Sequence, residues 1–402
     1  MKVGINTAFF QNWGGGIDFL SLVLRGLKNL PNEMPVEIVF FVPIEKPNML
    51  QLSWVQAKSI LKKILGRKHA QMKWFDPKVL QNALADTGSY KWILYNPKKE
   101  PLESLCLKEE IEVLLPCFES LGSQFPIPWV GYIFDFQHEL MPELFTAKEI
   151  EHRRKLFGTT LQDAPAVMVN SIEVRKHISQ FYPTHKSQVG SLTFCPFYDF
   201  NAYPLALTNS FLLEPSQYFL VCNQFWKHKD HASVFKAYAR FLNKHPNSTV
   251  KLVCTGLFSD YRDIHYTQFL KDLLAELKIE DKVVLTGYVS KAEQKAMMKN
   301  AIALVQPTLF EGGPGGGSVY EAIGMGVKVV LSDIEINKEI DCGSILFFKQ
   351  GNPADLAQKM EEIQFQLSVE AAQIGSDQLK REKLLGIDLY QLILAAQKGV
   401  SS

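Results

Sequence analysis

Gln306 to Val330 reads QPTLFEGGPGGGSVYEAIGMGVKVV, and it holds the densest chemistry in the chain. Two acids, Glu311 and Glu321, bracket the glycines Gly312, Gly313, Gly315, Gly316 and Gly317. A carboxylate can accept hydrogen bonds from two adjacent sugar hydroxyls, so one acid suits a hexose and the other a ribose. Glycines let a backbone come close to a ligand, and the N–H groups opening a helix expected from Ser318 attract phosphate. Two plainer readings stand beside this one. Ser318 and Glu321 also fit an S-x-x-E capping box, in which Glu321 only satisfies a backbone donor. The glycine run could also be a simple flexible connection.

Four further segments carry candidate groups. Val221 to His231, VCNQFWKHKDH, follows an apolar run and offers Lys227 and Lys229. A cation there would stabilise a departing anion as charge develops on its oxygens, although a lysine on a helix's first turn is often merely solvated. Asn12 to Asp18, NWGGGID, places glycines between a first strand and a first helix. It is not a G-x-G-x-x-G fingerprint, so no nicotinamide site is expected, and a tight turn is the plain alternative. Tyr132 to Phe145, YIFDFQHELMPELF, presents Asp135 and His138 at a strand end, where either could touch a sugar or an acceptor. A histidine beside a helix start is as often structural. Leu52 to Lys68, LSWVQAKSILKKILGRK, predicts an amphipathic helix with a basic side, a solvated face in most proteins and otherwise a membrane-surface contact.

Together these segments resemble family 4 of the glycosyltransferases, whose signature is a Glu, a glycine-rich turn and a second Glu seven residues on. Nine residues intervene here, two more than in that pattern. The resemblance implies a retaining, nucleotide-sugar-dependent transferase of the GT-B type. It implies that Glu311 contacts the transferred sugar, that the backbone of Gly313, Gly315, Gly316, Gly317, Ser318 and Val319 holds sugar and diphosphate, and that Glu321 binds the ribose. It implies that Lys229 grips the diphosphate, with Gln224 standing where relatives carry an Arg. Gly15 and Gly16 would face the donor, and the backbone of Tyr288 and Val289 would read a uracil edge. Relatives often read His-Asp where this chain has Phe134 and Asp135, and that His frames the reacting sugar. From family frequency, the expected donor is UDP-glucose and the expected acceptor a saccharide or lipid-linked saccharide. The product would enter polysaccharide or glycoconjugate biosynthesis. Two rivals remain: a nucleotide-sugar 2-epimerase of the same architecture, and a non-catalytic nucleotide-sugar-binding protein.

The elements that must position these groups follow an α/β rhythm. In the first half, KVGIN and strand candidates Val36 to Val42, Trp92 to Tyr95, Ile111 to Leu115, Trp129 to Phe134 and Ala166 to Val169 alternate with helical stretches. A second series begins at Tyr218 and continues at Val250, Val283, Ala301, Lys328 and Ser344, each an apolar run of buried parallel-strand character. The turn-rich stretch after Cys195 predicts a linker. The expected domains are therefore a Rossmann-like acceptor domain over 1–205, a Rossmann-like donor domain over 206–378, and a C-terminal helix over 379–402 packing back on the first. Each doubly wound sheet binds ligands beyond its strands' carboxyl ends, so a cleft between the two is the expected site.

Composition narrows the class. The 402 residues carry 43 Lys and Arg against 42 Asp and Glu, a balance that argues against nucleic acid as a partner. The six cysteines are scattered without metal-ligand spacing, as expected of reduced core thiols in a cytoplasmic protein. There is no D-x-D pair, so neither a bound metal nor another cofactor is expected. No run approaches the ~20 apolar residues of a membrane span, and no export signal is read at the N-terminus. The expected place is the cytoplasm, with the basic helix as the feature that could touch a membrane's inner face.

Overall fold

The computed structural model describes residues 1–10, 14–31, 34–44, 77–85, 87–196, 211–366 and 371–400. The expected amphipathic helix over 52–68, Asn12 of the N-terminal glycine segment and most of the expected linker lie outside these residues.

Apolar β-branched and aromatic runs, buried on both faces, build two all-parallel sheets. The first has seven strands: β1 (Lys2–Asn6), β2 (Glu37–Pro43), β3 (Lys91–Tyr95), β4 (Val113–Cys117), β5 (Trp129–Ile133), β6 (Ala166–Val169) and β7 (Gln188–Ser191), in the order β3-β2-β1-β4-β5-β6-β7. The second has six: β8 (Tyr218–Cys222), β9 (Lys251–Thr255), β10 (Val283–Gly287), β11 (Ala303–Gln306), β12 (Val329–Ser332) and β13 (Ile345–Phe348), in the order β10-β9-β8-β11-β12-β13. Every residue of β4, β5, β6, β8, β11 and β12 is buried, which is why these segments read as continuous apolar runs.

Three strands depart from the expectation, β11 by beginning at Ala303, two residues after the expected Ala301. β7, QVGS, is a half-exposed edge strand with no apolar pattern to announce it. β4 begins two residues later than expected, because Glu110 takes a left-handed conformation (φ 55°) that ends the preceding turn.

In each sheet the order reverses beside the first strand, between β1 and β4 and between β8 and β11. At such a switch point neighbouring connections run to opposite faces and leave a crevice beyond the strand ends. The segments that follow β1, β4, β8 and β11 are therefore the ones available to line a ligand site.

The two domains are also joined by a helix that crosses from one to the other. The helix Ala371–Val400 follows the second domain but sends Leu385, Leu389, Leu392, Ile393 and Ala396 into the first domain's core, beside Leu20, Val23, Leu24 and Leu27 of helix Gly14–Lys28. The two helices cross glycine on glycine, since a Cβ on Gly386 would lie 2.3 Å from the Gly26 carbonyl oxygen. Near the cleft, Glu339 of the second domain accepts hydrogen bonds from the Ile172 and Glu173 amides, 2.8 Å each, and so satisfies donors opening helix Ile172–Phe181. Ile336 is buried in the first domain's apolar cluster.

Candidate active site in the interdomain cleft

The crevices of the two sheets open into one cavity of about 610 Å³. From the first domain it is lined by Gly15 and Asp18 after β1, Phe118 after β4, and Phe134 and Asp135 after β5. From the second come Trp226, His228 and Lys229 after β8, Arg262 after β9, and Phe310 to Gly313, Gly316 and Gly317 after β11. Its apolar side is Phe19, Tyr132 and Phe118, with Tyr132 stacked on Phe19 (4.5 Å between centroids) and edge-on to Phe118 (4.9 Å).

Lys229 and Glu311 meet inside it. The Lys229 ammonium donates to Glu311 Oε1 at 2.5 Å, and both side chains are nearly buried, at 13% and 10% exposure. Lys229 ends a 3₁₀ turn (Lys227–Lys229) one residue before Asp230, which caps helix His231–Lys244 by accepting from the Ser233 amide. A cation beside the positive end of a helix is disfavoured, so a carboxylate partner is needed to hold it there. Glu311 Oε1 also accepts from Gln306 Nε2 at 3.0 Å, and Gln306 is itself fixed by Asn223 Nδ2 (2.7 Å) and by its own bond to the Gly315 carbonyl (3.0 Å). One buried amide thus links the loop after β8 to the loop after β11.

The glycine run is shaped by close approaches. Gly315 (φ 71°) and Gly316 (φ 72°) are left-handed, and a Cβ on Gly315 would strike the Val319 side chain at 2.6 Å. The Gly315 amide donates to Asn337 Oδ1 (2.7 Å), whose amide in turn donates to the Ser332 carbonyl. A Cβ on Gly316 would sit 3.1 Å from the Glu311 carboxylate. Gly312 and Gly313 press across the cleft, where added Cβ atoms would come 2.6 Å from the Phe134 carbonyl oxygen and 3.2 Å from Asn170 Cβ. Gly317, with open space around it, opens helix Gly317–Gly324 at the cavity wall.

Several expected residues lie elsewhere. The helix starts at Gly317 with Gly316 as its N-cap and no side-chain cap, so the capping box of Ser318 and Glu321 does not form. Glu321 is 1% exposed and is held by Lys291 at 2.7 Å and Lys295 at 3.7 Å; it does not face the cavity. Burial raises its pKa against the pull of those lysines. Val319 is a core side chain, and its amide already donates to the Gly316 carbonyl. Gly16, Gly315 and Ser318 support the wall without lining it.

Gln224 is turned away, accepting from the Leu257 amide at 3.0 Å. Tyr288 stands 76% exposed beyond β10, and neither it nor Val289 lines the cavity. His138 is wholly buried against Phe136, Phe145 and Phe157 and does not line the cavity. Burial pushes its pKa down to about 4. Asp135 does line the cavity, paired to Arg153 at 3.1 Å, with burial raising its pKa and Arg153 pulling it back.

Arg153, Arg262, Trp226, Asn170 and Asp18 line the site without having been singled out in the sequence. Trp226 sits inside the segment already read for Lys229. Arg153 lies mid-helix in Ala147–Asp163 and Arg262 in an irregular loop, positions at which an arginine carries no local signal.

Residues 209–364 match the family model described as Glycosyl transferases group 1. Over 142 residues the chain is 29% identical to the O-antigen chain mannosyltransferase RfbU of Salmonella typhimurium, covering 35% of this chain and 36% of that one. The match thus spans about a third of that relative's length. Among solved structures, Anabaena Alr3699/HepE in complex with UDP and glucose superposes with a TM-score of 0.54 at 12% identity, covering 100% of this chain and 98% of that one. The apo form of the lipopolysaccharide outer core galactosyltransferase WaaB gives 0.56 at 15%, covering 98% and 99%. WaaG, described as a glycosyltransferase involved in lipopolysaccharide biosynthesis, gives 0.54 at 11%, covering 100% of both chains. The chain has the GT-B fold: two Rossmann-like parallel-sheet domains facing across a cleft.

Proposed function

We propose that the chain is a retaining hexosyltransferase, taking a sugar from a nucleotide-sugar donor to a saccharide or lipid-linked saccharide acceptor in polysaccharide or glycoconjugate biosynthesis. The observation that carries this reading is the Lys229–Glu311 pair, set beside a glycine-opened helix where the crevices of the two sheets meet. In this reading Lys229 and the amide of Gly317, at the opening of the helix, neutralise the nucleotide diphosphate as it leaves; the Gly316 amide already donates to the Gly313 carbonyl. Glu311 exchanges part of its hold on Lys229 for the hydroxyls of the sugar. The reacting carbon passes through an oxocarbenium-like state as its bond to the diphosphate breaks, and the acceptor hydroxyl arrives on the face the diphosphate leaves, its proton passing to the departing diphosphate oxygen. No covalent nucleophile is then required. Asp135, held by Arg153 at the first domain's edge of the cavity, is placed to meet the acceptor or the sugar. UDP-glucose is the proposed donor, consistent with a fold neighbour solved with UDP and glucose.

A panel of nucleotide sugars in a thermal melt tests the donor. Saturating a site of the folded state at 100 times Kd adds about 2.7 kcal/mol of stability, so UDP-glucose should raise Tm. Absence of a shift from every nucleotide sugar would overturn the reading. Proton NMR of donor with acceptor should then show product of retained configuration, whereas an epimer formed without acceptor would favour an epimerase. Positive charge here comes from side chains and amides, so transfer should persist in excess chelator. Loss of turnover restored by magnesium or manganese would refute a metal-independent step.

A further inference from the structure

Among the described residues three Lys or Arg side chains line the cavity, and they differ in what pairs with them. Lys229 is paired with Glu311 and Arg153 with Asp135. Arg262 forms no direct ion pair among the described residues, Asp135 and Glu149 acting on it only from beyond contact; its guanidinium donates to neutral acceptors, Tyr261 Oη (2.9 Å) and Gln137 Oε1 (3.3 Å). It lies over the rings of Phe145 (4.8 Å), Tyr261 (5.2 Å) and Trp226 (5.4 Å). Ring faces attract a planar cation without neutralising it, so the group is positioned yet keeps its full charge for a ligand.

The loop that carries Arg262 is built for this placement. It leaves β9 at Gly256 (φ 114°), whose added Cβ would fall 2.2 Å from the Asn223 carbonyl oxygen. The Leu257 amide is held by the Gln224 side chain at 3.0 Å. The nearly buried Asp260 carboxylate accepts from the Lys227 amide and from the Arg262 amide, 2.9 Å each, tying the loop to the segment of Lys229. Gln224, at the position where a cation was expected, is therefore spent on bracing a loop that brings a different cation into the cavity. His228 lies between the two positive groups: burial, then Lys229 and Arg262, push its pKa down to about 3, and the ring stays neutral.

We infer that Arg262 binds the anionic part of the leaving group, taking with Lys229 the diphosphate of a nucleoside diphosphate. This rests on the reading of the cleft as a nucleotide-sugar site. Two cations, one paired with a carboxylate that the sugar will engage and one without a direct carboxylate partner, match two phosphates whose charge grows as the sugar departs.

Calorimetric titration of UDP and of uridine into wild type, Arg262→Gln and Arg262→Lys tests it. UDP binding by Arg262→Gln should fall about 10- to 100-fold, a loss of about 1.4 to 2.8 kcal/mol. Uridine binding should stay within about twofold, and Arg262→Lys should recover part of the loss. Wild-type affinity for UDP should also fall more steeply with added salt than that of Arg262→Gln. Equal UDP binding by wild type and Arg262→Gln would overturn the inference while leaving the nucleotide site standing. So would equal losses of UDP and uridine, which would mean a disturbed loop. A change confined to the acceptor KM would assign the guanidinium to the acceptor instead. Failure of wild type to bind UDP, GDP or ADP would remove the nucleotide site and the inference together.

Discussion

Lys229 and Glu311 hold each other in a nearly buried pair, so removing either leaves the other as an uncompensated charge in the cleft. If they serve diphosphate and sugar, Lys229→Ala and Glu311→Ala should each lower turnover by two or more orders of magnitude, about 2.7 kcal/mol or more of transition-state stabilisation. Near-normal kcat in either variant would take that residue out of the site. The histidines act on stability instead. Burial lowers the pKa of His138 to about 4 and of His228 and His231 to about 3, against about 6.5 in an unfolded chain. The folded state thus binds fewer protons than the unfolded one between these values. The stability these neutral rings allow is fully present above pH 6.5 and is lost as pH falls toward their folded values. For one such ring the slope is about 1.4 kcal/mol per pH unit inside that window. Asp135 and Glu321, raised by burial, push the other way, so the decisive readout is a difference. His231→Phe should make the urea midpoint less dependent on pH between 7 and 5; an unchanged slope would mean that His231 takes up a proton as readily in the folded protein as in the unfolded one.

At the scale of elements, the site depends on two tight backbone crossings. The loop after β11 turns through left-handed Gly315 and Gly316 to open helix Gly317–Gly324, and Asn337 pins it from the segment after β12. Gly315→Ala adds a methyl where the φ is unfavourable and the Val319 side chain stands 2.6 Å away. Donor affinity should fall at least tenfold, and Tm should fall as well because Val319 is a core side chain, read by titration at a temperature well below the melt; unaltered affinity would show the turn to be irrelevant to the ligand. The second crossing stands behind the cavity wall, Gly26 lying one helical turn past the lining residue Leu22. Gly386→Ala would drive helix Ala371–Val400 off the Gly26 carbonyl, and the cost should appear as lowered Tm; an unchanged Tm would show that the two helices part without cost.

Across the whole molecule, the cleft exists because two separately wound sheets are held at one spacing. Ile336 is buried in the first domain's core, and Glu339 caps that domain's helix Ile172–Phe181 from the second. Calorimetry of Ile336→Ala combined with Glu339→Ala should resolve two unfolding transitions where wild type shows one; a single transition in both would mean that the terminal helix alone couples the domains.

The primary sequence determined much of this by itself. Apolar runs of four to seven residues spelled out most of the strands because parallel strands are buried on both faces and leave no polar period. Glu311, Lys229 and the glycine run were legible because each sits directly after such a strand, and local order was enough to place them at a crevice. β7 was not legible, because an edge strand needs no apolar pattern. Only the tertiary structure decided that His138 belongs to an aromatic core, that Glu321 is engaged by lysines, and that Arg153 and Arg262 face the cavity. Those outcomes depend on what packs against a residue from distant parts of the chain. The Lys291 partner of Glu321 and the Phe145 ring beneath Arg262 come from other elements, and neighbours along the chain carry no trace of them.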